Sequence, residues 1–194
     1  MSSNFGIIRF DPKSKSFRQY CIADGIQNFE YNSDSHAQAK DGTLFFGGLS
    51  GTNYFNPNKL KDNPNEPIVL IESFSKSDSI FAVHKSDNSE EIYNIYYYEK
   101  DLSFNFAAID FRNPSRNQHA YMMEGYDDYW HYSNTRRYAS YTNLPAGDYT
   151  FKVKGSNNDQ VWNEDGASLK IKIHPAPWET TWAYMIYFAT TGFG

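Results

Sequence analysis

Cysteine is almost missing. The single residue Cys21 has nothing to pair with inside the chain, so an internal disulfide is impossible. That suits a reducing cytosol and equally a bacterial periplasm, where disulfides are optional. Concentrated positive charge is also missing. The chain carries 18 Lys and Arg against 23 Asp and Glu, for a formal net charge of -5. Binding a phosphate backbone needs a basic stripe, and none is present, so no nucleic acid partner is expected. Helical periodicity is absent before residue 180. The opening stretch "MSSNFGIIRF" has no basic start, no apolar core and no small-residue cleavage site, so no signal peptide is read there. The chain is therefore expected to be cytosolic or a piece of something longer. Long apolar runs are missing too. The fifteen residues after Glu179, "TTWAYMIYFATTGFG", carry no charge. They fall short of the about 20 residues a membrane-crossing helix needs.

Recognisable catalytic and metal patterns are likewise lacking. "GGLSGT" approaches the serine hydrolase elbow, but Thr52 stands where glycine is required and no strand-to-helix context follows. The five histidines, His36, His84, His119, His131 and His174, show no metal spacing. "NNDQVWNEDG" resembles a calcium loop only in composition: Val161 occupies a ligand position and Lys172 replaces the closing acid. No glycine pattern for a nucleotide appears. The expectation is no catalytic residue, no cofactor and no metal.

Aromatic residues are plentiful: 16 Tyr, 15 Phe and 4 Trp. Together with alternating short segments they favour β structure. "LSFNFAAIDF" sets Leu102, Phe104 and Phe106 on one face and Ser103 and Asn105 on the other. "YTFKVKG" does the same with Tyr149, Phe151 and Val153, and "SLKIKIH" with Leu169, Ile171 and Ile173. Each reads as a strand with one buried and one wet face, as in antiparallel sheets. Further strands are expected at 68–74, 91–98, 120–125, 129–132 and 137–144. This density of short strands predicts an all-β sandwich of the immunoglobulin or fibronectin type III kind over residues 63–176. Residues 1–62 differ. Their Asp-Pro, Asp-Gly and glycine-rich turns between short strands suggest terminal, incomplete β-propeller repeats. "KLKDNPNEP", residues 59–67, reads as a linker. Residues 177–194 read as a membrane-proximal segment and the start of a transmembrane helix, with Trp178 and Trp182 at headgroup level.

The stretch 122–153 holds six tyrosines and two aspartates side by side. Gly147 is expected to take a positive φ in the turn "NLPAGDY". Tyr149 is expected to fold back over that turn as a tyrosine corner. Trp130 is read as a core residue. Asp127 and Asp128 are read as turn residues that bond local amides, because neighbours on a strand point to opposite faces and cannot form an acid–base pair.

The run "YMMEGYDDYW…RRYASYTNLPAGDYTFKVKGSNNDQVWNEDGASLKIKIHPAPWETTWAY" closely resembles the three-tyrosine (Y_Y_Y) domain. That domain closes the periplasmic sensor region of hybrid and other two-component histidine kinases. The resemblance implies that Tyr121, Tyr141 and Tyr149 are the three tyrosines. Gly125, Trp130, Gly147 and Trp162 fit its pattern as structural residues. Pro177, Trp178, Thr180 and Trp182 fit the closing signature, with Ala176 in place of one proline. The upstream "GIIRFDPKSKSFRQY" and "DGTLFFGGLSGTNYFNP" resemble the final propeller repeats of the same sensors. The resemblance further implies a role in polysaccharide utilisation. The rest of the propeller would bind an oligosaccharide ligand, the protein would be a homodimer, and the C-terminus would meet the inner membrane, with the kinase downstream and no enzyme in this fragment. The competing reading is a carbohydrate-binding module of a glycoside hydrolase, with Tyr96, Tyr98, Tyr129 and Tyr132 as its sugar platform.

Overall fold

The computed structural model describes residues 1–194 except 4, 14, 78, 86–90, 100 and 192–194. The chain divides into two compact units, Met1–Asp62 and Asn63–Gly194. Both are built of β-strands.

In the first unit, β1 (Ser2–Ser3), β2 (Gly6–Asp11) and β3 (Ser16–Tyr20) form one antiparallel sheet. A second sheet contains β4 (Tyr31–Gln38), β5 (Leu44–Gly48) and β6 (Gly51–Phe55). Asp11 caps the β2–β3 turn by accepting from the Lys13 N–H, and Asp41 caps the β4–β5 turn by accepting from Thr43. The core is small: Ile7, Ile26, Tyr31 and Phe46 are buried, with Tyr20, Leu44 and Phe55 against them. At its end, Asp62 accepts from Arg9 (3.0 Å) and Arg18 (2.6 Å). The bond from Arg9 holds this carboxyl below its ordinary range.

The second unit contains β7 (Ile68–Lys76), β8 (Ser79–Lys85), β9 (Ile92–Ile95), β10 (Asp101–Ile109), β11 (Gln118–Glu124), β12 (His131–Asn134), β13 (Tyr138–Thr142), β14 (Gly147–Ser156) and β15 (Trp162–Ile173). One sheet has the order β13-β10-β7-β8 and the other β12-β11-β14-β15-β9. Their inner faces share one apolar core. The alternation in the sequence produces it: Leu102, Phe104 and Phe106 point inward from β10, Tyr149, Phe151 and Val153 from β14, and Leu169, Ile171 and Ile173 from β15. Phe104 and Phe151 stack between the sheets with centroids 3.9 Å apart.

One strand departs from the antiparallel expectation. β9 pairs parallel to β15, from Lys170↔Ile92 to Ile173↔Ile95. A parallel pair needs a long connection, and here most of the unit lies between the two strands. β9 then leaves its sheet through a tight turn, closed by the Glu99 N–H on the Tyr96 carbonyl, and β10 starts in the other sheet.

The helix α1 (Thr181–Thr191) has 11 residues. Among the described residues no helix is long and apolar enough to cross a membrane. Residues 192–194 of the expected membrane segment lie outside the described residues.

Candidate functional site

The three tyrosines are placed by three strands. Tyr141, on β13, is buried, and its hydroxyl donates to Asp127 Oδ2 at 2.6 Å. The same carboxylate accepts from the Met123 N–H (2.7 Å) and from His131 Nε2 (3.2 Å). Asp127 thus bonds a local amide, as a turn residue should, and also bridges β11, β12 and β13. Burial opposes its charge, but the bonds from Tyr141, Met123 and His131 outweigh burial and hold the carboxyl below its usual range. Burial, reinforced by that carboxylate, pushes the Tyr141 phenol far up. Tyr121, on β11, is half-buried. Its ring meets Tyr141 edge-on at 6.2 Å and lies 5.4 Å from the His131 ring, and Arg136 donates to its hydroxyl at 3.4 Å.

Tyr149 serves a different corner. It is buried, and its hydroxyl donates to the Pro145 carbonyl four residues upstream at 3.0 Å. This is a tyrosine corner, formed over the turn between β13 and β14. The positive φ of this turn belongs to Asn143 (φ 56), not to Gly147. Gly147 is required for a different reason: a Cβ there would sit 3.2 Å from the Tyr149 hydroxyl, so a side chain would press on the folded ring. Gly125 is required twice over, with φ +94 and a Cβ position 3.2 Å from Asp148 O and Tyr149 Cδ1.

Trp130 and Trp162 lie outside the core cluster, which corrects the reading of Trp130 as a core residue. They flank Lys154 on the outer side of the five-stranded sheet. The Lys154 ammonium sits 4.8 Å from the Trp130 ring, 5.5 Å from Trp162 and 5.7 Å from Tyr132, and it is paired with Glu164 at 2.8 Å. Lys154 sits on β14, one residue beyond the inward-facing Val153, so strand alternation turns it to the outer face. Three aromatic faces and a carboxylate then offset the cost of burying its charge. The clasp ties β12 to β14 and β15. Sequence reasoning missed it, because nothing in the spacing of 130, 154 and 162 shows that they meet.

A second missed feature holds the segment before β7. Asn157 is fully buried. Its amide donates to the carbonyls of Asn63 (2.9 Å) and Asn65 (2.6 Å), and its oxygen accepts from the N–H groups of Asp159 (2.8 Å) and Val161 (3.1 Å). Asn63, also buried, donates to Asp110 at 2.8 Å, and Asn163 donates to the Pro67 carbonyl at 2.9 Å. The "linker" is therefore fastened from residue 63 onward. At the opposite end of β15, the His174 N–H donates to Ile95 O, His174 Nε2 lies 2.8 Å from Asn94 Oδ1, and Ala176 is buried. Trp178 packs edge-on against Tyr97 at 5.1 Å. Trp178 and Trp182 are both exposed.

Residues 110–174 match the family model of the Y_Y_Y domain. This chain carries a Y_Y_Y domain. The match begins after β10, yet Val69, Ile71, Phe74, Ile95, Leu102, Phe104 and Phe106 from the preceding strands belong to the same core. The Y_Y_Y domain is thus completed by residues upstream of the matched segment. The chain is 36% identical over 200 residues to "Histidine kinase P4" of Formosa agariphila, an alignment that covers 99% of this chain and 14% of that protein. Among solved structures, it superposes on the extracellular domain of the hybrid two component system BT3049 from B. thetaiotaomicron with a TM-score of 0.74 and 26% identity, over 90% of this chain and 24% of that one. The extracellular domain of BT4673 from the same organism shares the fold, with a TM-score of 0.50, 20% identity, and 91% and 24% covered. The chain spans only a small part of each of these relatives. The resemblance is to the extracellular sensor region of histidine-kinase two-component systems, and not to a catalytic domain.

Among the described residues no group of three or more His, Cys, Asp and Glu could hold a metal. The half-buried carboxylate of Asp127 is spent on Tyr141, Met123 and His131. The arrangement fastens residues 63–67 near the start of β15 and His174 at its finish.

Proposed function

We propose that this chain is the membrane-proximal part of a periplasmic sensor anchored in the inner membrane, and that its immunoglobulin-like sandwich relays ligand binding to a transmembrane helix and a downstream kinase. One observation carries the reading: β15 is held at both ends to the segments that enter and leave the sandwich. At its start, Asn157 and Asn163 grip residues 63–67. At its finish, the chain passes from Ile173 directly into the docked segment His174–Trp178. Twelve residues of paired strand span roughly 40 Å and resist bending. On the input side the Asn63 N–H, at the very start of the second unit, is held by the Asp159 carboxylate. A displacement at residue 63 is then passed through the second unit to residue 174 as rigid-body motion.

The upstream unit is read as the last repeats of a propeller whose remaining blades bind an oligosaccharide, so that the whole protein controls polysaccharide utilisation. Two copies act as a homodimer, and a change in their arrangement is the signal. The resemblance to extracellular domains of two-component systems supports this assignment.

The test uses the full-length receptor. Residues 174–178 are replaced by glycine and serine, and ligand-dependent kinase autophosphorylation is measured. Loss of the response with preserved ligand binding is expected. A receptor that responds normally after the exchange overturns the relay.

A further inference from the structure

Five aromatic rings run in a chain along the end of the second unit, where the polypeptide leaves it. His174 stacks on Tyr96 with centroids 5.4 Å apart and planes at 21°, and Tyr96 stacks on Tyr98 at 5.9 Å and 9°. Tyr98 meets Tyr97 edge-on at 5.2 Å, and Tyr97 meets Trp178 edge-on at 5.1 Å. Most of this surface faces outward: Tyr98 is 66% exposed, Trp178 54% and Tyr96 47%. The turn that displays it is stiff. The Glu99 carboxylate accepts from the Tyr96 N–H at 3.0 Å and pairs with Lys76 at 3.0 Å. The acid nearest the shelf on β9's own turn is therefore neutralised within the fold. Glu179, next to Trp178, is the one exposed acid of the exit segment.

The neighbour of the shelf identifies what covers it. α1 begins three residues after Trp178 and carries no charge from Thr181 to Thr191. Trp182, Tyr184, Met185, Ile186, Tyr187 and Phe188 are all exposed on it. A helix apolar on every side is not the surface of an element bathed in water. The shelf itself holds only Tyr, Trp and His. Each has an apolar ring and a polar edge, the combination that collects at the boundary of a bilayer rather than in its interior.

We propose that the shelf of Tyr96, Tyr98 and Trp178 lies in the headgroup layer of a lipid bilayer, as a second point of membrane contact beside the helix. The inference rests on the reading that α1 starts a membrane-crossing segment. A helix alone is a single pivot about which the sandwich could tilt freely. With the shelf as a second point, tilting is resisted and rotation about the membrane normal remains. The motion delivered by β15 is thereby narrowed to the one the helix can carry.

The test uses the 194-residue chain in vesicles of phosphatidylethanolamine with a minor share of phosphatidylglycerol, brominated either near the acyl carbonyl or near the chain end. In a background with Trp130→Phe and Trp162→Phe, Trp182→Phe leaves Trp178 as the shelf reporter, and Trp178→Phe leaves Trp182 as the helix reporter. Trp178 is expected to be quenched by the shallow bromines. The pair Tyr96→Ser and Tyr98→Ser is expected to weaken that quenching about threefold while Trp182 quenching is unchanged. Quenching of Trp182 without quenching of Trp178 overturns the shelf and leaves the membrane segment standing. Absence of both overturns the membrane segment and the shelf with it. Saturable binding of neutral oligosaccharides, read at Trp178 and abolished by the serine pair, would overturn the lipid assignment and make the shelf a sugar platform.

Discussion

The two units are made of the same material and differ in how much of it they bury. Met1–Asp62 has strands, tight hairpins and many aromatic residues, yet among its described residues only four hydrophobic side chains are buried in its core. Among its described residues, Asn63–Gly194 buries nineteen in one core cluster. The difference is closure. In the second unit two sheets cover each other, so every inward residue finds a partner. In the first, Phe10, Phe17, Phe45 and Tyr54 pack in exposed pairs on sheet surfaces. Four buried residues contribute about 8 kcal/mol at about 2 kcal/mol each, little against the entropy of ordering some sixty residues. Strand content alone is therefore a poor guide to which part of a chain is self-sufficient.

Substitutions can break this comparison, beginning with the largest effect. Phe104→Ala removes one ring of the stacked pair at the centre of the second unit. It is expected to cost about 4 kcal/mol, against about 2 kcal/mol for Phe46→Ala in the smaller core, where neighbours can collapse into the gap. Urea unfolding followed by circular dichroism measures both, and equal losses would erase the distinction drawn here. Next comes Asn157→Ala, which strands the carbonyls of Asn63 and Asn65 and the N–H groups of Asp159 and Val161. A loss of about 3 kcal/mol is expected, with faster amide exchange at residues 63–67. Tyr149→Phe keeps the ring and removes only the hydroxyl bond to Pro145, so about 1 kcal/mol is expected from the same unfolding measurement.

The smallest effect near neutrality is a pH dependence. His119 is buried and joins the two sheets, accepting from the Ala108 N–H and donating to the Asn134 carbonyl, both at 3.1 Å. Burial pushes its pKa down. The unfolded chain then binds the proton first. Stability is flat above about pH 6.5 and falls as pH drops below that value toward the folded pKa. Denaturation midpoints measured between about pH 7 and pH 5 should show this fall, and His119→Gln should flatten it. Asp127 adds a separate loss only at lower pH, below its ordinary value of about 3.9, because its folded pKa is depressed.

Much of the second unit was legible in advance. The alternating residues of β10, β14 and β15 point as the sequence says, and the corner at Tyr149 follows from a turn two residues ahead of an alternating strand. These are local signals with a period of two, readable without knowing what the strand faces. β8 was missed: its alternation is weak, and Ile80 and Phe81 are both exposed at an edge of the sheet. Trp130 was misplaced because an aromatic residue beside a strand says nothing of which face it joins. Lys154 decided that, from twenty-four residues away in the chain.

By itself the sequence determined where the strands lie, which of their faces are apolar, and that no metal or nucleic acid pattern is present, because each depends on neighbours in the chain. Only the tertiary structure decided that Asp127 receives three donors, that β9 runs parallel to β15, and that residues 63–67 and 174–178 are fastened to opposite ends of one strand. Those contacts join residues up to 96 positions apart. Their pairing is set by the closing of two sheets around a core, which no local pattern encodes.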